Sequence, residues 1–125
     1  LAFAGSVATA LADTLSSEIG GLYDDPRLVT TLRPVPPGTD GAITWQGEVA
    51  GVAGAALIAA MTVALFAYPP TFGLAVVVAG FAGMTADSLV GATIEGEFVG
   101  NQSVNFIATS VGAVAGGAVY LLALA

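Results

Sequence analysis

The sequence predicts an all-α, polytopic transmembrane helix bundle, and three observations carry that prediction. Hydrophobic residues make up 56% and charged residues 9% of the 125 positions, where a soluble domain carries roughly 25% charged residues. The apolar residues gather in four continuous runs. Each full run is about 18–22 residues long, which crosses a hydrocarbon core of about 30 Å as a helix. Continuity, rather than alternation, sets aside membrane strands.

The first run covers 1–19. It opens at Leu1 with neither an initiator methionine nor a basic leader, which predicts an N-terminal truncation and no signal peptide. A polar loop, 20–46, contains DDPR, RPVPPGTDG and TWQG. The second run is 47–68, and Pro69 and Pro70 break it from the third, 72–89. A second polar stretch, 95–103, leads to the fourth run, 104–125. The whole of 1–125 then reads as one transmembrane domain with four spans. Both arginines, Arg27 and Arg33, lie in the first loop. Positive charge marks the cytoplasmic side, so the two polar loops are expected together at that face.

Composition excludes several chemistries. Cysteine and histidine are absent, which removes disulfides, thiolates, the usual general base and the usual zinc ligand. Lysine is absent too, so neither a Schiff base nor a phosphate-loop lysine is available. The net charge of −7 argues against nucleic acid as a partner.

Small residues recur at helical spacing. Gly47, Gly51 and Gly54 mark the second run, Gly112 and Gly116 the fourth, and Gly80, Gly83, Asp87 and Gly91 form one stripe of the third. Such stripes let helix backbones approach closely in lipid. Ser6, Thr9, Asp13, Ser17 and Gly20 share a face of the first helix, and Asn105, Thr109, Gly112 and Gly116 share one of the fourth. Three helices therefore point polar groups inward near one membrane surface.

Three motifs carry candidate chemistry. In ADTLSSEIG (12–20), Asp13 and Glu18 enter an otherwise uncharged helix. A carboxylate at membrane depth costs about 2.5 kcal/mol or more near the centre and needs a partner, a metal or water. Five helical residues separate the two by about 140° around the axis, so one ion takes both only if the helix unwinds near Ser16–Ser17. The alternative is that both acids sit in headgroup water. In TTLRPVPPGTDGAITWQG (30–47), Gly38, Gly41 and Gly47 allow close backbone approach to phosphate oxygens, and Arg33 suits bidentate pairing with one. The alternative there is an ordinary surface loop. In GMTADSLVGATIEGE (83–97), Asp87 lies deep in an apolar helix, followed by Ser88, Gly91 and Glu95. An interhelical hydrogen bond is its simpler role, as a helix-start or packing role is for Asn105.

The order ADTLSSEIG, TTLRPVPPGTDGAITWQG, ADSLVGATIE, NQSVNF resembles the integral membrane family called domain of unknown function 92. That family includes transmembrane protein 19 and the plastid phytyl-phosphate kinases. The match covers most of the chain, and family members are usually longer at the N-terminus. The family in turn is similar to membrane CTP-dependent enzymes, the polyprenol and phytol kinases and CDP-lipid synthases. The resemblance implies CTP as phosphoryl donor, Mg²⁺, and an isoprenoid alcohol or its monophosphate as acceptor in the membrane. It implies that Asp13, Glu18 and Asp87 hold the metal, with Asp13 and Asp87 catalytic. It implies that Gly38, Thr39 and Gly41, with Thr30, Thr31, Arg33 and Asn105, bind the nucleotide. Arg33 stands where a lysine is expected beside the proline, which keeps the charge.

Phosphoryl transfer needs mainly positioning and charge neutralisation, so the lack of histidine and lysine is no obstacle. The rival reading is a transporter or ion-coupled carrier using intramembrane carboxylates. ADTLSSEIG and ADSLVGATIE echo each other, but the predicted topology runs their helices in the same direction, so they make no inverted repeat. An assembly subunit without a ligand is the third reading, and it leaves the inward acids unexplained.

Overall fold

The computed structural model describes residues 1–94 and 100–125. Four helices carry the fold: α1 (Ala2–Gly20), α2 (Trp45–Phe66), α3 (Pro70–Thr93) and α4 (Asn101–Leu124). Two short strands, β1 (Arg27–Leu28) and β2 (Ala42–Ile43), pair antiparallel between α1 and α2.

Local chemistry moves the helix ends by a few residues from their expected places. Helix α2 starts at Trp45 because Thr44 is extended and its hydroxyl accepts the Gly47 N–H at 3.0 Å, which satisfies an orphan donor of the first turn. It ends where Ala67 turns left-handed (φ 53°). Pro70 then opens α3 at a position that needs no N–H. Helix α3 continues through Gly91 to Thr93. Helix α4 begins at Asn101, so part of the polar stretch expected at 95–103 is helical, and Glu95 lies outside the described residues.

Of the four expected spans, the structure bears out three: among the described residues α2, α3 and α4 are long and apolar enough to cross a membrane. Helix α1 has 19 residues but carries Asp13, Glu18 and five hydroxyl side chains. Its polarity is accommodated by protein, since α1 packs against all three other helices.

Glycine contacts give the direction of each helix. Positions 5, 8 and 9 of α1 face 79, 80 and 83 of α3, so these two run parallel. Gly20 of α1 abuts Gly47 of α2, and Gly116 of α4 abuts Leu1, so α2 and α4 run antiparallel to them. Helices α1 and α3 form the centre, and α2 and α4 flank them. The core is built from small side chains, Ala8, Ala12, Ala55 and Ala59, with Val76 and Met84. Close packing of small residues replaces the hydrophobic drive that lipid cannot supply. The buried Thr9 hydroxyl lies 3.0 Å from the Gly5 carbonyl and 3.3 Å from that of Ala79, tying α1 to α3. Aromatic residues mark both ends of the bundle. Tyr68, Phe72 and Tyr120 cluster at the α2–α3 turn, and exposed Tyr23 and Trp45 lie at the loop end, as in an interfacial belt.

The long loop is folded. Val29 N–H donates to Gly41 O (3.0 Å) and Val35 N–H to Pro26 O (3.1 Å), and the Thr39 hydroxyl donates to Pro36 O (2.7 Å). Strand β2 lies against α1 and α3. Gly41 sits at φ +78° with no room for a side chain, because Ala92 of α3 occupies that space. Here the loop needs glycine for both conformation and approach.

Candidate functional site

A cavity of about 260 Å³ opens where this loop folds over the ends of α1 and α3. Helix α1 presents Asp13, Ser16 and Ser17 to it, and α3 presents Asp87 and Ser88. The loop closes it with Gly38, Thr39, Asp40 and Gly41. Three carboxylates and three serines thus meet the same space. No arginine is among the described residues that line it. Such a lining attracts cations, and its donors are hard oxygens that suit Mg²⁺ rather than a soft metal.

The structure therefore gathers Asp13, Asp87, Gly38, Thr39 and Gly41 of the residues singled out from sequence. Glu18, Thr30, Thr31 and Arg33 are exposed and do not line this cavity. Helix α1 is unbroken through Ser16–Ser17, so Asp13 and Glu18 stay on different faces and do not share an ion. Among the described residues no three acidic groups come close enough to hold a metal together. The other cation, Arg27, donates to the Leu32 carbonyl at 3.1 Å and lies 4.0 Å from Asp25 at the surface.

Asn105 lines a second cavity, about 120 Å³, between α1 and α4. Thr9, Asp13, Thr14, Ala108 and Thr109 complete most of its wall. Asp13 belongs to both cavities.

Two contributors escaped the sequence reading. Asp40 lines the first cavity, and the signal for it was its place between the two left-handed glycines, Gly38 and Gly41. Ser16 hydrogen-bonds the half-buried Glu48 of α2. The available signal for Glu48 was its place in the first turn after the Thr44 cap.

The family described as "Integral membrane protein DUF92" matches residues 1–113, a range that holds both cavities. The chain belongs to this family. A DUF92 chain is thus an integral membrane protein, in agreement with the three apolar helices. An uncharacterized membrane protein of Methanocaldococcus jannaschii is 45% identical over 126 residues, covering 96% of this chain and 51% of that protein. One of Synechocystis is 36% identical over 121 residues, covering 90% and 45%. Protein VTE6, chloroplastic, of Arabidopsis thaliana is 32% identical over 119 residues, covering 91% and 36%. The chain thus spans about half of the first two DUF92 relatives and a smaller share of the third. No solved structure matches it.

Proposed function

We propose that this DUF92 protein transfers a phosphoryl group from a nucleoside triphosphate, CTP by the resemblance, to the alcohol or monophosphate end of an isoprenoid lipid. The observation that carries the proposal is the convergence of Asp13 and Asp87 in one cavity beneath the glycine-bearing loop. Magnesium is usually held by one or two carboxylates plus substrate phosphates rather than by an all-protein cage. Asp13 and Asp87 fit that requirement, and the lack of an arginine among the described lining residues is met by the metal's own charge. When bound, Mg²⁺ would neutralise charge on the transferring phosphate.

The chain's own residues do the rest. The Thr39 N–H is spent on the Pro36 carbonyl at 3.2 Å, so the phosphates would be met by the N–H groups of Gly38, Asp40 and Gly41, with glycine allowing the loop its bend. The acceptor oxygen forms a bond to the γ-phosphorus, the bond from that phosphorus to the β–γ bridging oxygen breaks, and the nucleoside diphosphate leaves. A monophosphate attacks through an oxygen that is already ionised and needs no base. An alcohol gives its proton to a carboxylate of the Asp13–Asp87 pair. The kinship with Protein VTE6, chloroplastic, supports the reading. With Arg27 and Arg33 in the loop, the positive-inside rule favours a cytoplasmic location for the cavity.

The test is transfer of γ-labelled phosphate from CTP, with Mg²⁺, to geranylgeranyl or phytyl phosphate and to the free alcohols by the full-length protein in detergent. Label in the lipid phase that Asp87→Asn abolishes supports the proposal. Folded protein that labels no prenyl acceptor refutes it. The acidic lining without arginine then favours the second reading, cation-coupled carriage.

A further inference from the structure

We infer that the small cavity between α1 and α4 is the acceptor end of the same site, reached sideways from the membrane by the O–H-bearing head of a lipid. The inference rests on the transfer reading above and adds a second binding place to it. Its basis is the shared wall. Asp13 lines both cavities, so a head group in the second one lies against the residue that also borders the first.

The chemistry of the lining is specific. The Thr14 hydroxyl donates to the Ala10 carbonyl at 2.8 Å, and the Thr109 hydroxyl lies 2.9 Å from the Asn105 carbonyl and 3.1 Å from that of Phe106. The Thr9 hydroxyl is likewise directed at backbone carbonyls. Each hydroxyl has one hydrogen, and in all three it is spent within the bundle, so what they offer a ligand is lone pairs. The Asp13 carboxylate adds acceptor oxygens, and the Asn105 side-chain amide brings both an acceptor and donors to the same wall. A head group that donates as well as accepts matches this mixed lining. That fits the hydroxyl of an alcohol or of a singly protonated phosphate monoester.

The position is specific too. Asp13 is seven residues from the end of α1, about 10 Å along the helix axis, and Asn105 and Thr109 lie within an apolar segment long enough to span the membrane. Polar groups facing a cavity at that depth mark substrate paths by default. An apolar groove lined by Phe3, Val7, Met61 and Phe66 among others is at the opposite end of α1 and does not reach Asp13. The lipid's tail is therefore expected in the bilayer beside α1 and α4 and not in that groove.

Photolabelling of the full-length protein in vesicles tests this without any turnover, so its failure is separate from failure of the transfer assay. The probe is geranylgeraniol carrying a diazirine near its hydroxyl, with no nucleotide present. Label on residues 9–14 and 105–109, displaced by excess geranylgeraniol or by its monophosphate, is the expected result, and the more effective competitor identifies which O–H source the cavity takes. Thr109→Leu, which fills the cavity, should remove the displaceable label, whereas Thr109→Ser, which keeps the accepting oxygen and opens no less room, should keep it. Val114→Leu, on the exposed face of α4, should leave it unchanged. In the transfer assay, Thr109→Leu should raise the lipid KM about tenfold and leave the nucleotide KM alone. Displaceable label confined to residues 1–7 and 58–68, label that neither competitor displaces, or label indifferent to Thr109→Leu would each overturn the inference.

Discussion

Asp13 of α1 and Asp87 of α3 stand level with each other on two parallel helices, each one turn beyond the contact between Thr9 and Gly83. Both border the same cavity. The Ala-Asp-Thr-Leu and Ala-Asp-Ser-Leu segments around them therefore lie side by side in one register. The flanking helices follow the same pattern, since α2 and α4 each pack against both central helices. The two parallel central helices thus carry equivalent acids in the same register.

The pair is expected to act as a unit. Asp13→Asn and Asp87→Asn should each lower kcat/KM by roughly 10²-fold or more, about 3 kcal/mol of transition-state stabilisation. The double variant should lose little beyond the worse single one. Steady-state kinetics over a Mg²⁺ titration checks this, and strictly additive losses would count against a shared ion.

Gly83 sets the spacing of α1 and α3. A side chain there meets the Thr9 hydroxyl and the Ala108 carbonyl. Gly83→Ala should destabilise the bundle by about 1–3 kcal/mol, as overpacking of a tight core does. Thermal unfolding in detergent reads it. Gly117→Ala, where nothing stands within 4 Å, should leave the melting temperature near its starting value.

The two loop glycines should differ. Gly38 and Gly41 both have positive φ, so alanine at either costs about 1–2 kcal/mol in backbone strain. Only at Gly41 does the new side chain also strike α3, at Ala92. Gly41→Ala should thus lift the loop and increase its cleavage by added protease well beyond that of Gly38→Ala. Equal cleavage of the two variants would contradict the close approach.

Thr44→Ala removes the cap of α2. The expected loss is about 1 kcal/mol, read as a lower melting temperature. Thr44→Ser, which restores the accepting oxygen, should recover most of it.

Much of this was legible in the sequence. The apolar runs located all four helices, because a helix that meets lipid or packed protein around most of its surface is predominantly apolar. Proline at 69–70 and glycine at 38 and 41 punctuated the chain through their fixed or permissive φ. Asp13 and Asp87 stood out because a carboxylate in such a run needs a local reason. Tertiary packing decided what the runs could not. Helix α1 reads as a span by length, yet its polarity fits the centre of a bundle whose neighbours meet its polar face. The loop's apparent lack of structure hid a hairpin whose hydrogen bonds are formed between residues far apart in the chain. The same fold leaves Arg33, Thr30, Thr31 and Glu18 away from the cavity and places Asp40, exposed as it is, on the cavity wall. Residue type told which groups can carry charge or bind phosphate. Which of them meet in one cavity depends on helix register and loop path, and those are set by the small-residue contacts between helices.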